Sequence, residues 1–162
     1  MPSAVQLEAA RLVVEERWAA LATAGDEGPS ASMVAYAIEP ATLALVMHLS
    51  GLSAHTRQLL STPRASLAIS RPDPGQGDPQ RLPRIGLTVT VQPLEPGSPE
   101  HAAASAAYLA RFPDASMRFA LADFVLFGCS IDAVRYVGGF ARAASFDAPT
   151  FREALAASVA RA

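Results

Sequence analysis

A chain of 162 residues has the ordinary size of one domain and is long enough to bury a substantial core. Hydrophobic residues make up 51% and charged residues 17%, with a mean hydropathy of +0.22, so a lone subunit would leave apolar surface for a second one to cover. A formal net charge of −2 argues against a nucleic-acid partner, and without a signal-peptide pattern or an apolar run of ~18 residues the expected setting is cytoplasmic, with no membrane partner.

Residues 4–17 place Val5, Leu7, Leu12 and Val13 at helical spacing and predict an amphipathic helix. Residues 18–23 read as a first strand, and the turn AGDEGP (24–29) leads into a second over 31–38, as a hairpin. Glu39-Pro40-Ala41 makes another turn before a third strand over 42–49. Three consecutive strands on short turns predict an antiparallel meander. Ser50-Gly51 ends that apolar run, and a short helix over 54–61 opens at Ser53 and stops before Pro63.

A strand over 64–70 follows, then RPDPGQGDPQRLP (71–83), whose prolines and glycines sustain neither helix nor ladder. That loop is either a flap over a ligand or a long hairpin connection. Residues 84–94 alternate, with Ile85, Leu87, Val89 and Val91 on one face. An alanine-rich helix over 99–112, with Ser98 as N-cap, precedes a shorter one over 113–120. Residues 124–131 and 133–137 read as a bent strand or strand pair, Gly138-Gly139 as a sharp turn, and 149–160 as a closing helix.

The stretch SGLSAHTRQLLSTPRAS (50–66) carries the strongest chemical signal. Free N–H groups at a helix start, the helix dipole, the Ser53 hydroxyl and the His55 imidazole together suit a phosphate or carboxylate. The plainer alternative is that Ser53 only caps a surface helix and His55 is solvated. His48 and His55 can approach across the strand-to-helix turn, but as two histidines they make a weak metal site. Cys129, in FVLFGCSI, has no thiol partner and no adjacent base, and reads as core. All 13 basic residues are arginine, which excludes a lysine Schiff base and a P-loop lysine. H-E-x-x-H, G-x-S-x-G and the Rossmann glycine fingerprint are also missing.

The segments WAALAT (18–23), GPSASMVAYAI (28–38), HLSGLSAHTRQLLSTPRASL (48–67), YLARFPDA (108–115), DFVLF (123–127) and YVGGFARA (136–143) resemble, in order and spacing, the split β-barrel flavoproteins. This is the pyridoxamine-phosphate-oxidase-like superfamily, and the nearest pattern is its haem-utilisation-like branch. The resemblance implies a mainly β chain with flanking helices (α+β). Its core would be a split antiparallel β-barrel of the six-stranded type, pairing as a homodimer with FMN at the interface. It also implies that Ser32, Met33, Val34 and Ala35 run beneath the flavin, that His48-Leu49 form a second contact segment, and that Ser53 and His55 face the phosphate. Arg84 and Arg142 are further candidates for phosphate or ring contacts, with solvated arginine or a surface ion pair as the alternative.

Pyridoxamine-phosphate oxidases place arginine and lysine around the phosphate, whereas Ser32, Ala54 and His55 stand here. Oxidation of that vitamer is therefore not expected. The leading expectation is an FMN-binding oxidoreductase acting on a small-molecule redox substrate, with the chemistry on the flavin. The alternative is a haem-binding or haem-degrading protein, with His48 or His55 to iron and arginines to the propionates. Longer members of the branch carry a further C-terminal domain that has no counterpart after GGFARA, which ranks haem second. A structural barrel without ligand is a third reading.

Overall fold

The computed structural model describes residues 1–26, 28–139 and 142–162, so Glu27 of the AGDEGP turn and Phe140-Ala141 of GGFARA lie outside the described residues. In chain order the elements are α1 (Ala4–Glu15), β1 (Trp18–Gly25), β2 (Gly28–Ala35), β3 (Ala37–Ile38), β4 (Leu45–Ser50), α2 (Ala54–Ser61) and β5 (Arg64–Ser70). A 3₁₀ turn (Pro79–Arg81), β6 (Arg84–Pro93), α3 (Pro99–Arg111) and a 3₁₀ segment (Pro113–Ala120) come next. The chain then runs through β7 (Phe124–Val137), β8 (Ala143–Asp147) and α4 (Ala148–Val159). The strands form one antiparallel, curled sheet in the order β2-β1-β5-β6-β7-β4-β3, with β8 added beside the second half of β7. This is the α+β split barrel that the sequence implied, with eight strands rather than six. None of the described helices is long and apolar enough to cross a membrane.

The hairpin β1–β2 forms as expected, from Trp18 opposite Ala35 to Gly25 opposite Gly28. The predicted meander does not continue from it. Residues 37–38 separate as β3 and pair with β4, whose other neighbour is β7. The break falls at Tyr36, fully buried, whose hydroxyl donates to Val13 O at 2.8 Å. A large ring drawn into the core and tied to α1 takes the chain off the β1 edge. The third strand also starts later than predicted, because residues 39–44 close a tight turn. Leu43 N–H donates to Glu39 O at 2.8 Å, and Leu43 lies at φ +60. The Glu39 carboxylate accepts from Ala41 N, Thr42 N and Thr42 Oγ1. Burial alone would raise its pKa; those hydrogen bonds outweigh it and hold the carboxyl below its ordinary range.

The main core lies between the concave face of the sheet and helices α1 and α4, and includes Leu12, Leu21, Leu67, Leu87, Phe127 and Phe151. A smaller cluster forms where α3 covers β3 and β4, around Val46, Tyr108 and Leu126. Cys129 is fully buried in the main core, and desolvation pushes its thiol up to about 12. The last carbonyls of α1 are held from afar. Arg111 donates to Val14 O at 2.9 Å and to Glu16 O at 2.6 Å. Its guanidinium also lies 5.9 Å from the centre of the Tyr36 ring.

Strand alternation in β5 buries Ala65, Leu67 and Ile69 and exposes Arg64, Ser66, Ala68 and Ser70. In β7 the alternation changes phase. Val125, Phe127, Cys129 and Ile131 face the core, and then Val134 and Tyr136 do. The change comes from a bulge. Thr88 sits opposite Ala133 and Val89 opposite Ile131, leaving Asp132 as the extra residue. Its carboxylate accepts from Thr90 Oγ1 at 2.8 Å. The sequence reading had no signal for β8, a five-residue strand whose faces carry mostly small side chains.

Candidate functional site

Helix α2 presents His55 and Gln58, three residues apart and therefore on one face, to the hydroxyl-bearing face of the β1–β2 hairpin. His55 Nδ1 lies 2.9 Å from Ser32 Oγ. Gln58 Oε1 accepts from Thr23 Oγ1 at 2.5 Å and from Ser30 Oγ at 2.8 Å. Burial lowers the His55 pKa, which favours the neutral imidazole. Ser53 stands at the N-cap position, yet its side chain makes no cap hydrogen bond, contrary to the capping expectation. The turn before it is tight: Gly51 N–H donates to Asp123 O at 2.5 Å, and a Cβ on Gly51 would lie 2.7 Å from that oxygen. Beside α2 an open groove of ≈ 770 Å³ is lined by Gly25, Asp26, Arg57 and Gln58 among others. Hydroxyls, an imidazole and backbone donors at this pole match an anionic group better than an apolar one.

The structure does not gather the other sequence candidates here. On β2, Ser32 faces α2, Val34 is buried in the core, and Met33 projects from the opposite face, 49% exposed. Ala35, half-buried, pairs with Trp18 at the end of β2. His48 and Leu49 point to opposite sides of β4, and Leu49 packs in the main core. The expected approach of His48 to His55 does not occur. The His48 ring is stacked on Phe119 at 3.9 Å, with Tyr108 and Phe124 around it. Its Nδ1 is buried without a hydrogen-bond partner. Desolvation, then the charges of Arg118 and His101, push its pKa down to about 4. Arg142 forms an ion pair with Glu8 at 2.9 Å, the surface alternative held open for it.

Arg84 belongs to a second, larger groove on the convex face of the sheet. Four register pairs build its floor: Met33 opposite Ala20, Ala20 opposite Ala68, Ala68 opposite Gly86, and Gly86 opposite Arg135. The groove encloses ≈ 820 Å³, and its lining adds Glu16, Trp18, Arg84 and Val137. Trp18 is 55% exposed. Arg84 donates to Gln80 O at 2.7 Å, in its own loop. Among the described residues, neither Arg84 nor Arg135 has an acidic partner. Sequence reasoning did not assemble this surface because its residues, spread over positions 16–137 and mostly on five strands, share no local motif. The sequence reading named Met33 and Arg84 separately; the small residues Ala20, Ala68 and Gly86, which build the floor between them, were the further signal.

A family model described as CREG, beta-barrel, matches residues 4–153. HOZ, an atypical chloroplastic haem oxygenase of Arabidopsis thaliana, is 33% identical over 115 residues, covering 71% of this chain and 33% of that protein. The structure of a haem-binding protein from Mycobacterium smegmatis superposes with a TM-score of 0.82 at 32% identity, covering 97% of this chain and 62% of that one. HutZ, the haem storage protein of Vibrio cholerae, superposes at 0.66 with 20% identity, covering 80% of this chain and 89% of that one; it speaks for the fold alone. The chain thus spans about a third of the curated relative and less than two thirds of the mycobacterial structure. The split-barrel resemblance and its haem-utilisation-like branch are borne out.

Proposed function

The chain belongs to the CREG β-barrel family, and from that premise we propose that it binds haem in the convex groove of its sheet. The observation that carries this reading is the groove's chemistry. A floor of small residues, Ala20, Ala68 and Gly86, is flanked by Trp18 and Met33 and edged by two arginines that have no acidic partner among the described residues. A planar apolar macrocycle with two carboxylates needs such a surface. Gly86 supports the fit: a Cβ there would meet only Arg135 O, at 4.0 Å, so the space above it is open and a longer side chain would fill it. The haem-binding and haem-oxygenase relatives, each above 30% identity, favour haem over the flavin ranked first from sequence.

Haem supplies an iron centre for redox or oxygen chemistry. The chain's own residues would orient and shield it: Ala68 and Gly86 beneath the ring, Trp18 at its edge, Arg84 and Arg135 at the propionates. A second copy of the chain, laid on this apolar face, would exclude water and form the expected homodimer. A small-molecule electron donor would complete a redox role.

FMN remains a second reading because of one observation. The Ser32–His55 contact and the free Ser53 hydroxyl are suited to a phosphate. Hemin and FMN titrations of wild type, Gly86→Leu and Arg84→Ala/Arg135→Ala, followed by absorbance, separate the two. Hemin uptake should be lost in Gly86→Leu and weakened roughly tenfold in the double variant, at about 0.5–1 kcal/mol per exposed ion pair. Wild type that ignores hemin, or Gly86→Leu that binds it as well as wild type, refutes the haem assignment.

A further inference from the structure

We propose that Met33 supplies the protein's ligand to the iron of a tetrapyrrole held in the convex groove. The inference rests on the haem reading and assigns the atom that would touch the metal. Iron in a macrocycle is held from the protein by imidazole, thiolate, thioether or phenolate donors, less often by other oxygens. None of the three histidines of the chain lines the groove. His48 is covered by Phe119 in the small cluster behind β4. His101 sits on α3, with Nδ1 3.3 Å from Ser105 Oγ. His55 is held by Ser32, and successive strand residues point to opposite faces, so the Ser32 that fixes His55 is turned away from the groove that Met33 enters. Cys129 is fully buried in the core.

Three side chains with donor atoms other than arginine or indole line the groove: Met33, Glu16 and Ser70. Glu16 is taken by Arg71, whose guanidinium lies 2.9 Å from its carboxylate. The Ser70 hydroxyl donates to Arg71 O at 3.1 Å. Of the three, Met33 alone has no hydrogen-bond or ion-pair partner among the described residues, and a neutral hydroxyl such as that of Ser70 is a poor ligand for iron in a macrocycle. It is opposite Ala20 on the edge strand β2, half in solvent, with only small side chains along its row until Arg135. An unbranched side chain with three rotatable bonds can swing its sulfur over that floor without moving the backbone. A thioether is a soft donor that favours the reduced metal, so ligation should be firmer on ferrous than on ferric iron.

The test uses the full chain labelled at its methionine methyl groups with carbon-13. The four methionines are Met1, Met33, Met47 and Met117. On adding hemin and reducing it, one methyl resonance should leave its ordinary range, and that signal should be missing in Met33→Leu. Met33→Leu nearly conserves volume on an exposed face, so its fold should persist. It should still take up hemin, with an altered ferrous spectrum and a lower midpoint potential. Met33→His should convert the spectrum to a nitrogen-ligated form. Wild type that takes up hemin with all four methyl signals in their ordinary range overturns the ligand assignment and leaves the groove reading standing. The same holds if the Met33→Leu spectrum matches wild type, or if His55→Ala abolishes the wild-type spectrum. Wild type that takes up no hemin overturns both.

Discussion

Replacing Arg111 by alanine should loosen the corner where α1 hands over to β1. The guanidinium reaches across 95 residues of sequence to Glu16 O at 2.6 Å, and to Val14 O at 2.9 Å. Hydrogen bonds from a charged donor contribute about 1.5–3 kcal/mol each. Here two of them share one nitrogen in a half-buried site, and the attraction to the Tyr36 ring adds a smaller amount. A net loss of about 2–3 kcal/mol follows, which for a chain of this size lowers Tm by about 4–12 °C. Urea unfolding followed by circular dichroism measures it directly. Arg111→Lys, which keeps the charge but not the planar fork, should fall between wild type and alanine. Tyr36→Phe removes the bond to Val13 O and should lose about 1–2 kcal/mol. Because both groups hold the same turn of α1, the double variant should deviate from additivity. An Arg111→Ala protein within about 0.5 kcal/mol of wild type would refute the reasoning, since surface changes without structural consequence lie in that range.

Gly51→Ala should lower stability by about 1–3 kcal/mol, because the new Cβ would press on Asp123 O and part β4 from β7 at their shared end; an unchanged melting curve would rule out that close approach. Glu39→Gln should destabilise by about 1–2 kcal/mol at neutral pH, through weaker acceptance from Ala41 and Thr42. Since the folded-state pKa of Glu39 is lowered, its contribution is complete above the ordinary carboxylate value and fades as pH falls through the lowered one. The gap between wild type and variant should therefore close in acid; a gap independent of pH in urea titrations would contradict the assignment.

Local order was readable in the sequence wherever a pattern is set by neighbours along the chain. The period-two run in 84–94, the Ser98 cap and the proline-bounded helix over 54–61 all formed where spacing placed them. What escaped depends on partners distant in sequence. Nothing local to 31–38 reveals that Tyr36 will be drawn down to Val13, so one strand was read where two exist. His48 read as a site residue because His48-Leu49 matched a flavin-contact segment of the family it resembles; aromatic rings from α3, the 3₁₀ segment and β7 enclose it instead. The Ser32–His55 contact was within reach, since both residues stand where pyridoxamine-phosphate oxidases place their phosphate-binding side chains. The convex groove was not, because sheet register alone brings Met33, Ala68 and Arg135 into one row.

That row depends on a count of one. Had β7 kept its parity past Ile131, Arg135 would point into the barrel and Val134 and Tyr136 into water. By taking Asp132 out of the ladder, the bulge keeps charge on the outside and aromatic bulk on the inside of the strand downstream of it. A chain shortened by that residue would keep the same facing without a bulge, because Ala133 would follow Ile131 in regular alternation; keeping the residue but losing the bulge would strand an arginine among aliphatic side chains and strip the convex groove of a cation. The bulge is therefore constrained from both faces of the sheet, even though Asp132 itself is solvent-exposed.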